Sequence, residues 1–179
     1  ERFDGSCARH LVKCVWAFAS LEVPAPEVLR SLTRVCGGER LVSLRDDELA
    51  ALCTGMGQAG WGDEDLFVDL VRAALGRVED VDGSRLVDIL WGLSCMWRGL
   101  GAEPSELFGQ LLDSVSNALV CGDTRLNGGA ACLAVRTFCA TRRYEDAWRL
   151  MEGQEKTKQR QHERQELDDE SRPPHEKFQ

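Results

Sequence analysis

Residues 86–94 read LVDILWGLS, and earlier parts of the chain repeat this pattern at a nearly constant interval. A shift of 37 residues aligns Gly92 with Gly55, and a further shift of 38 residues aligns Gly55 with Ala17. Self-similarity at such an interval is typical of helical-repeat proteins, in which each repeat is one supersecondary unit. The fold of the chain therefore depends on what a single unit forms.

Each unit is predicted to form two helices. In the first helix of each unit, apolar residues recur at i, i+3, i+4 and i+7, which places them on one face of an α-helix. The three sets are Leu11, Cys14, Val15 and Phe18; Leu49, Leu52, Cys53 and Met56; and Leu86, Ile89, Leu90 and Leu93. A fourth, weaker copy aligns Phe138 with Phe18.

Residues typical of helix boundaries separate the helices. Aspartate, serine and proline favour helix starts, whereas glycine favours helix ends. The start signals are Asp46, Asp63, Asp82 or Ser84, Pro26 and Pro104, and the end signals are Gly37-Gly38, Gly60 and Gly101. No stretch shows the sustained alternation that is typical of a strand. We predict an all-α fold, an α-solenoid of about four antiparallel helical hairpins in repeats of 37–41 residues, over residues 1–151.

Two repeat positions carry further expectations. Ala17, Gly55 and Gly92 share one position, and their small side chains predict that paired helices approach closely there. Trp16 and Trp91 share the preceding position, beside core residues, and are predicted to pack inside the protein.

The VWAFA core at residues 15–19 and the LWGLS core at residues 90–94 resemble octotricopeptide and heptatricopeptide repeats. The second helix of these units contains a Leu-Phe pair, which the repeats of these families also have, and the resemblance extends in degenerate form over about residues 5–151. These families occur in organelle proteins of algae and alveolates. The resemblance implies an α-solenoid in a mitochondrion or plastid, and members of the families bind organelle RNA or serve as structural subunits of large complexes.

The chain of 179 residues has a formal net charge of −8. This acidity disfavours a protein that coats phosphate backbones, and no DNA partner is expected. The basic cluster of the predicted folded part consists of Arg136, Arg142, Arg143 and Arg149. Two interpretations stay open for it: a seat for RNA phosphates or an acidic protein patch, and a solvated helix face near a helix end.

Two tryptophans are predicted to be exposed contacts for a protein or RNA partner. Trp61 lies between glycines at a turn, and Trp97 lies in a segment that the third unit has in excess of the others. Tryptophan is enriched both at protein interfaces and among side chains that stack on nucleobases.

The sequence predicts no catalytic, cofactor or metal site. Residues 55–60 spell G-x-G-x-x-G, but they follow a helical pattern instead of a strand, so they would meet phosphate at the negative end of a helix dipole. The eight cysteines form no C-x-x-C pair and no histidine lies at zinc-ligand spacing. We therefore expect a noncatalytic protein whose thiols are free core residues, in a reducing compartment.

Residues 152–179 form a polar arm with eight acidic and six basic residues. We expect a helix that continues from Tyr144, is supported by the Glu152–Lys156 pair and ends before Pro173-Pro174. Such a segment has little apolar surface to bury, so we interpret it as a docking arm for a larger assembly.

The resulting prediction is a scaffold that binds other protein subunits. It would be an accessory subunit of a respiratory, ATP-synthase, photosynthetic or ribosomal complex in an organelle. An RNA-binding repeat protein of organelle gene expression is the alternative, and a cytosolic helical adaptor is the third. The apolar stretches at residues 11–21 and 86–97 are too short to cross a membrane, so only peripheral association with a membrane complex stays open.

Overall fold

The computed structural model describes residues 5–21, 41, 43–60, 63–101, 105–121 and 126–171. These residues form helices and turns and contain no strand, which confirms the all-α prediction. The helices of this part of the chain are α1 (Gly5–Ser20), α2 (Asp46–Gln58), α3 (Glu64–Leu75), α4 (Gly83–Leu100), α5 (Glu106–Cys121), α6 (Gly128–Ala140) and α7 (Tyr144–Ser171). The predicted second helix of the first unit, with the boundary signals at Pro26 and Gly37-Gly38, lies outside the described residues, as does Pro104.

Several helix boundaries follow the predicted signals. The Asp63 carboxylate caps α3 by accepting a hydrogen bond from the backbone N–H of Leu66 at 3.0 Å, and the Asp82 carboxylate caps α4 in the same way. Gly60 and Gly101 end α2 and α4 with φ of 63° and 62°, a left-handed conformation that glycine adopts without strain. Asp46 is the first residue of α2, whereas the capping position is Arg45.

The helices form two series of neighbours. The first helices of the units pack in the order α1, α2, α4 and α6, and the second helices pack in the order α3, α5 and α7. Contacts of α3 and α5 with α4, and of α7 with α6, join the two series. Because the apolar faces of both series meet, the core lies between them, and Leu49, Leu90, Phe108 and Phe138 are completely or almost completely buried in it.

Glycines allow the first helices to approach closely. A β-carbon at Gly55 would lie 3.0 Å from Val15 of α1, and one at Gly57 would lie 2.5 Å from the carbonyl oxygen of Gly92 in α4. The prediction of close approach is therefore confirmed at Gly55, and Gly92 also meets α2. Ala17, which was predicted to behave in the same way, is exposed.

Arg77 joins the end of α3 to the chain before α2. Its guanidinium donates to the carbonyl oxygens of Leu44 at 2.6 Å and Leu41 at 3.1 Å, and it lies 3.3 Å from Asp46. Since this side chain is mostly buried, its hydrogen bonds satisfy carbonyls that solvent reaches poorly.

The last helix is much longer than its neighbours. α7 has 28 residues and α6 has 13, so at about 1.5 Å per residue α7 extends roughly 20 Å past the length of α6. The helix runs without interruption across the predicted boundary between residues 151 and 152, which is therefore a change of composition within one helix. Residues 172–179 lie outside the described part of the chain.

Candidate interaction surfaces

The predicted arginine cluster is divided by the fold. Arg143 donates to Asp146 at 2.6 Å and to Asp113 of α5 at 2.5 Å, and Asp146 is buried. Burial lowers the pKa of Arg143, but the hydrogen bonds to Asp113 and Asp146 outweigh it and raise the pKa. Arg149 pairs with Glu145 on the surface of α7. Arg143 therefore links the start of α7 to α5, and its use as a partner contact stays a prediction.

Arg136 lies in a different environment. Its guanidinium lies over the ring of Trp91, 5.0 Å from the ring centroid, and Arg98 lies 5.8 Å from the same centroid. Arg98 also donates to the Sγ of Cys95 at 3.2 Å and, through Nε, to the carbonyl oxygen of Ser94. Two cations therefore flank one indole on the surface of α4 and α6, an arrangement that attracts anions and aromatic groups.

The tryptophans differ from the sequence-based expectations. Trp16 is 55% exposed, so the prediction that it packs inside is wrong. The partly exposed Trp91 packs beneath arginine side chains. Trp97 is partly buried, 5.9 Å from the ring of Phe108. Its use as a partner contact stays a prediction, and Trp61 lies outside the described residues.

One repeat position forms a row on the first-helix series. By the same alignment, the position of Trp16 is occupied by Thr54 in α2, Trp91 in α4 and Arg136 in α6. Each of these residues is exposed or partly exposed. The four lie on successive neighbouring helices of this series, from α1 to α6.

A groove of about 550 Å³ lies between α6 and α7, at the end of both series. Its lining is mostly apolar and comes from Ala131, Cys132 and Val135 of α6 together with Leu150 and Met151 of α7. Gln154, Glu155, Lys158 and Arg136 supply its polar edge. A space of this size accommodates several aliphatic side chains of a partner helix.

The start of α7 presents large apolar side chains beside this groove. Tyr144, Trp148 and Met151 are 63%, 62% and 48% exposed, and their i, i+4, i+7 spacing places them on one face. Sequence reasoning did not single out this face, although the spacing was visible. Other large exposed apolar residues in the described part are Trp16 and Leu21, at the opposite end of the first-helix series.

The cysteines have two kinds of environment. Cys53 is fully buried, as predicted for a core thiol, and burial raises its pKa to about 12. Cys14, Cys132 and Cys139 are exposed, so the prediction of a core position is wrong for these three. Cys95 is partly exposed next to Arg98.

The G-x-G-x-x-G sequence at residues 55–60 lies at the C-terminal end of α2. Gly55 and Gly57 are buried inside α2, and Gly60 follows its last turn. The negative end of the helix dipole thus lies there, and the packing against Val15 and Gly92 leaves no space beside these two glycines. Among the residues that the structure describes, no three His, Cys, Asp or Glu side chains are grouped so that they could hold a metal ion.

A second groove, of about 520 Å³, is polar and lies between the end of α3 and α5. Glu79, Asp80, Ser114 and Asn117 contribute its polar groups.

Comparison of the chain with protein-family models, with curated proteins and with solved structures found no match. Within the described residues, no helix combines the length and the apolar character needed to cross a bilayer.

Proposed function

We propose that this chain is a noncatalytic α-solenoid scaffold, an accessory protein subunit of a large organellar complex. The two ordered series of helix contacts support the repeat architecture, with hairpins stacked side by side. The respiratory, ATP-synthase, photosynthetic and ribosomal complexes are the candidate assemblies, and this location depends on the resemblance to organelle repeat proteins.

The observation that carries the proposal is the exposed surface at the start of α7. Tyr144, Trp148 and Met151 present apolar and aromatic groups beside a mostly apolar groove. Aromatic side chains clustered on one face are the residues that dominate binding energy at protein interfaces. A contiguous exposed patch of this kind is typical of a surface that another protein covers.

The long part of α7 supports the same proposal. Gln159, Arg160, Glu163 and Gln165 near its end are exposed, and an isolated helical stretch of about a dozen residues is marginally stable in water. A second protein surface that contacts this arm would stabilise it and would add reach to the scaffold.

Purification of the tagged chain from the organelles of an algal host tests this function. We expect it to migrate with a large assembly, and amine cross-linking to join Lys156 or Lys158 to neighbouring subunits. A matched pair of variants, Trp148→Asp in the exposed face and Gln110→Asp on the exposed side of α5, separates docking from general surface change. Recovery of the wild-type chain without other subunits contradicts the proposed function.

RNA binding is a second candidate because of one observation, the closeness of both Arg98 and Arg136 to the ring of Trp91. An indole flanked by two guanidinium groups supplies both a stacking surface and charge for phosphates. The net charge of −8 restricts such binding to this local patch.

Binding of single-stranded RNA over a salt series tests the second candidate. A phosphate-contacting site loses affinity as salt rises, and Trp91→Ala and Arg136→Gln should each weaken binding about tenfold. Arg72→Gln, which removes an exposed charge from α3, is the matched control. No binding at low salt, or equal binding by all variants, rules out this site.

A further inference from the structure

One position of the aligned units lies where successive first helices contact each other. It is buried in three of the four first helices and partly exposed in the fourth. Val15 in α1, Cys53 in α2 and Leu90 in α4 occupy equivalent positions of the aligned units, and they are 0%, 0% and 1% exposed. The fourth equivalent, Val135 in α6, is partly exposed and lines the groove between α6 and α7.

The neighbouring positions on the same face repeat this difference. Those equivalent to Cys132 are Val12, Ala50 and Val87, which are all buried, whereas Cys132 itself is exposed. The face with which each first helix contacts the next first helix is therefore partly exposed on α6. There it borders the open groove, whose other wall is α7, and no further first helix covers it among the described residues.

The complementary face is uncovered at the other end of the series. In α2, Gly55 packs against Val15 of the preceding helix, and in α4, Gly92 packs against Cys53 of the preceding helix. The equivalent small residue of α1 is Ala17, which is exposed. One chain thus carries both halves of its own repeated contact, one on α1 and the other on α6.

We propose that these two faces bind each other between copies of the chain, head to tail. Val135 and Cys132 of one copy would contact Ala17 of the next copy, as Val15 contacts Gly55 within the chain. The partner is therefore a second copy of this chain, and the new contact continues a helix–helix contact that the fold already makes three times, between α1 and α2, α2 and α4, and α4 and α6.

The geometry of such a contact determines the form of the assembly. The two faces differ, so the interface is heterologous, and each added copy leaves both kinds of face free at its ends. Self-association is expected to be open-ended and to increase with protein concentration. This inference concerns the ends of the helix series and does not depend on the organelle or on the identity of other subunits.

Sedimentation velocity of the reduced 179-residue chain over a concentration series tests the inference. The wild type should show a mean mass that rises from monomer toward dimer and larger species. Ala17→Arg blocks only the α1 face, and Val135→Arg blocks only the α6 face, because burial of an unpaired charge weakens association about a hundredfold or more. Each variant alone should be monomeric.

The mixture of the two variants distinguishes this contact from other kinds of association. An equimolar mixture retains one intact α6 face and one intact α1 face, so it should form heterodimers that do not grow further. Cys132→Arg, at an exposed position of the α6 face, replaces Val135→Arg if that variant does not fold. Gln110→Arg, exposed on α5, should associate as the wild type does.

Three results would overturn the inference. They are a wild-type chain that stays monomeric at submillimolar concentration, variants that associate as the wild type does, and a mixture that contains only monomers. The first result would leave the α6 face to a different protein and would not affect the recovery of the chain in an organellar complex. Failure of that recovery, conversely, would not alter self-association in purified samples.

Discussion

Gly92 lies so close to the backbone of Cys53 that a β-carbon at residue 92 would be 2.2 Å from the carbonyl carbon of Cys53. No neighbouring side chain can move to relieve this contact, because the obstructing atoms belong to the main chain of α2. The short distance between α2 and α4 therefore depends on glycine at residue 92, which has no side chain.

We expect Gly92→Ala to lower the free energy of unfolding by about 3 kcal/mol, because α2 and α4 must separate or bend. The matched control is Gly109→Ala in α5, where a β-carbon meets no atom within 4 Å. That substitution should raise the free energy of unfolding by about 0.5–1 kcal/mol, since alanine favours helix more than glycine does. Urea denaturation measures both, and equal effects would contradict the close contact.

Arg143→Gln should lower the free energy of unfolding by about 1–2 kcal/mol, because the buried carboxylate of Asp146 loses its charged partner. Arg149→Gln removes an exposed pair with Glu145 and should change stability by less than about 0.5 kcal/mol. Chemical denaturation of the two variants checks the difference. A larger loss for Arg149→Gln would mean that the contact between α5 and α7 is not held by Arg143.

Asp88 gives stability a pH dependence. Burial raises the pKa of its carboxyl above the ordinary value of 3.8, the charge of Asp82 adds to this, and Arg85 opposes it. The unfolded chain therefore ionises at lower pH than the folded chain does, so stability contributed by this group falls as pH rises from 3.8 to the raised pKa. Above that range the penalty is constant.

Asp88→Asn should remove this dependence. We expect the variant and the wild type to have similar denaturation midpoints near pH 3, and the variant to be the more stable at pH 7. An NMR titration of the Asp88 carboxyl carbon gives the pKa directly. A pKa below 3.8, or a variant that is less stable at pH 7 than the wild type, would contradict the dominance of burial.

Thiol labelling should separate the cysteines by environment. Cys14, Cys132 and Cys139 are exposed and should react with maleimide within minutes in the native protein. Cys53 should react only after unfolding, since it is buried and its pKa of about 12 leaves almost no thiolate at pH 7. Peptide mapping by mass spectrometry identifies the labelled sites. Rapid labelling of Cys53 without denaturant would contradict its place in the core.

The apolar faces of α2 and α4 were predicted correctly, because periodicity and packing agree there. The apolar faces that were predicted for α2 and α4 are buried. They include Leu49 and Met56 of α2 and Leu86 and Leu93 of α4. Each of these helices has neighbours on both sides, so an apolar face meets another element. Cys14 of α1 and Cys132 of α6 are exposed, whereas Leu52 of α2 and Val87 of α4 at the equivalent positions are buried. Among the described helices, α1 contacts one other member of the first-helix series and so does α6.

The environments of the candidate contact residues were harder to predict from the sequence. Arg143 and Arg149 are close in sequence, but their roles differ because Asp113 comes from α5, 30 residues earlier. Trp97 belongs to a segment outside the regular repeat, yet it reaches Phe108 and contributes to the core. Charge and aromatic character identify candidate contacts, whereas only the packing of helices distant in sequence decides which of them face solvent.

The sequence by itself determined the helical state, the apolar faces of the helices and several caps, all of which depend on local preferences and on the angular period of a helix. The tertiary structure decided which equivalent positions are covered. Val15 and Val135 have the same place in the pattern, but one is buried against α2 and the other lines an open groove. The reason is physical: periodicity specifies the direction of a side chain, and burial requires a second element in that direction.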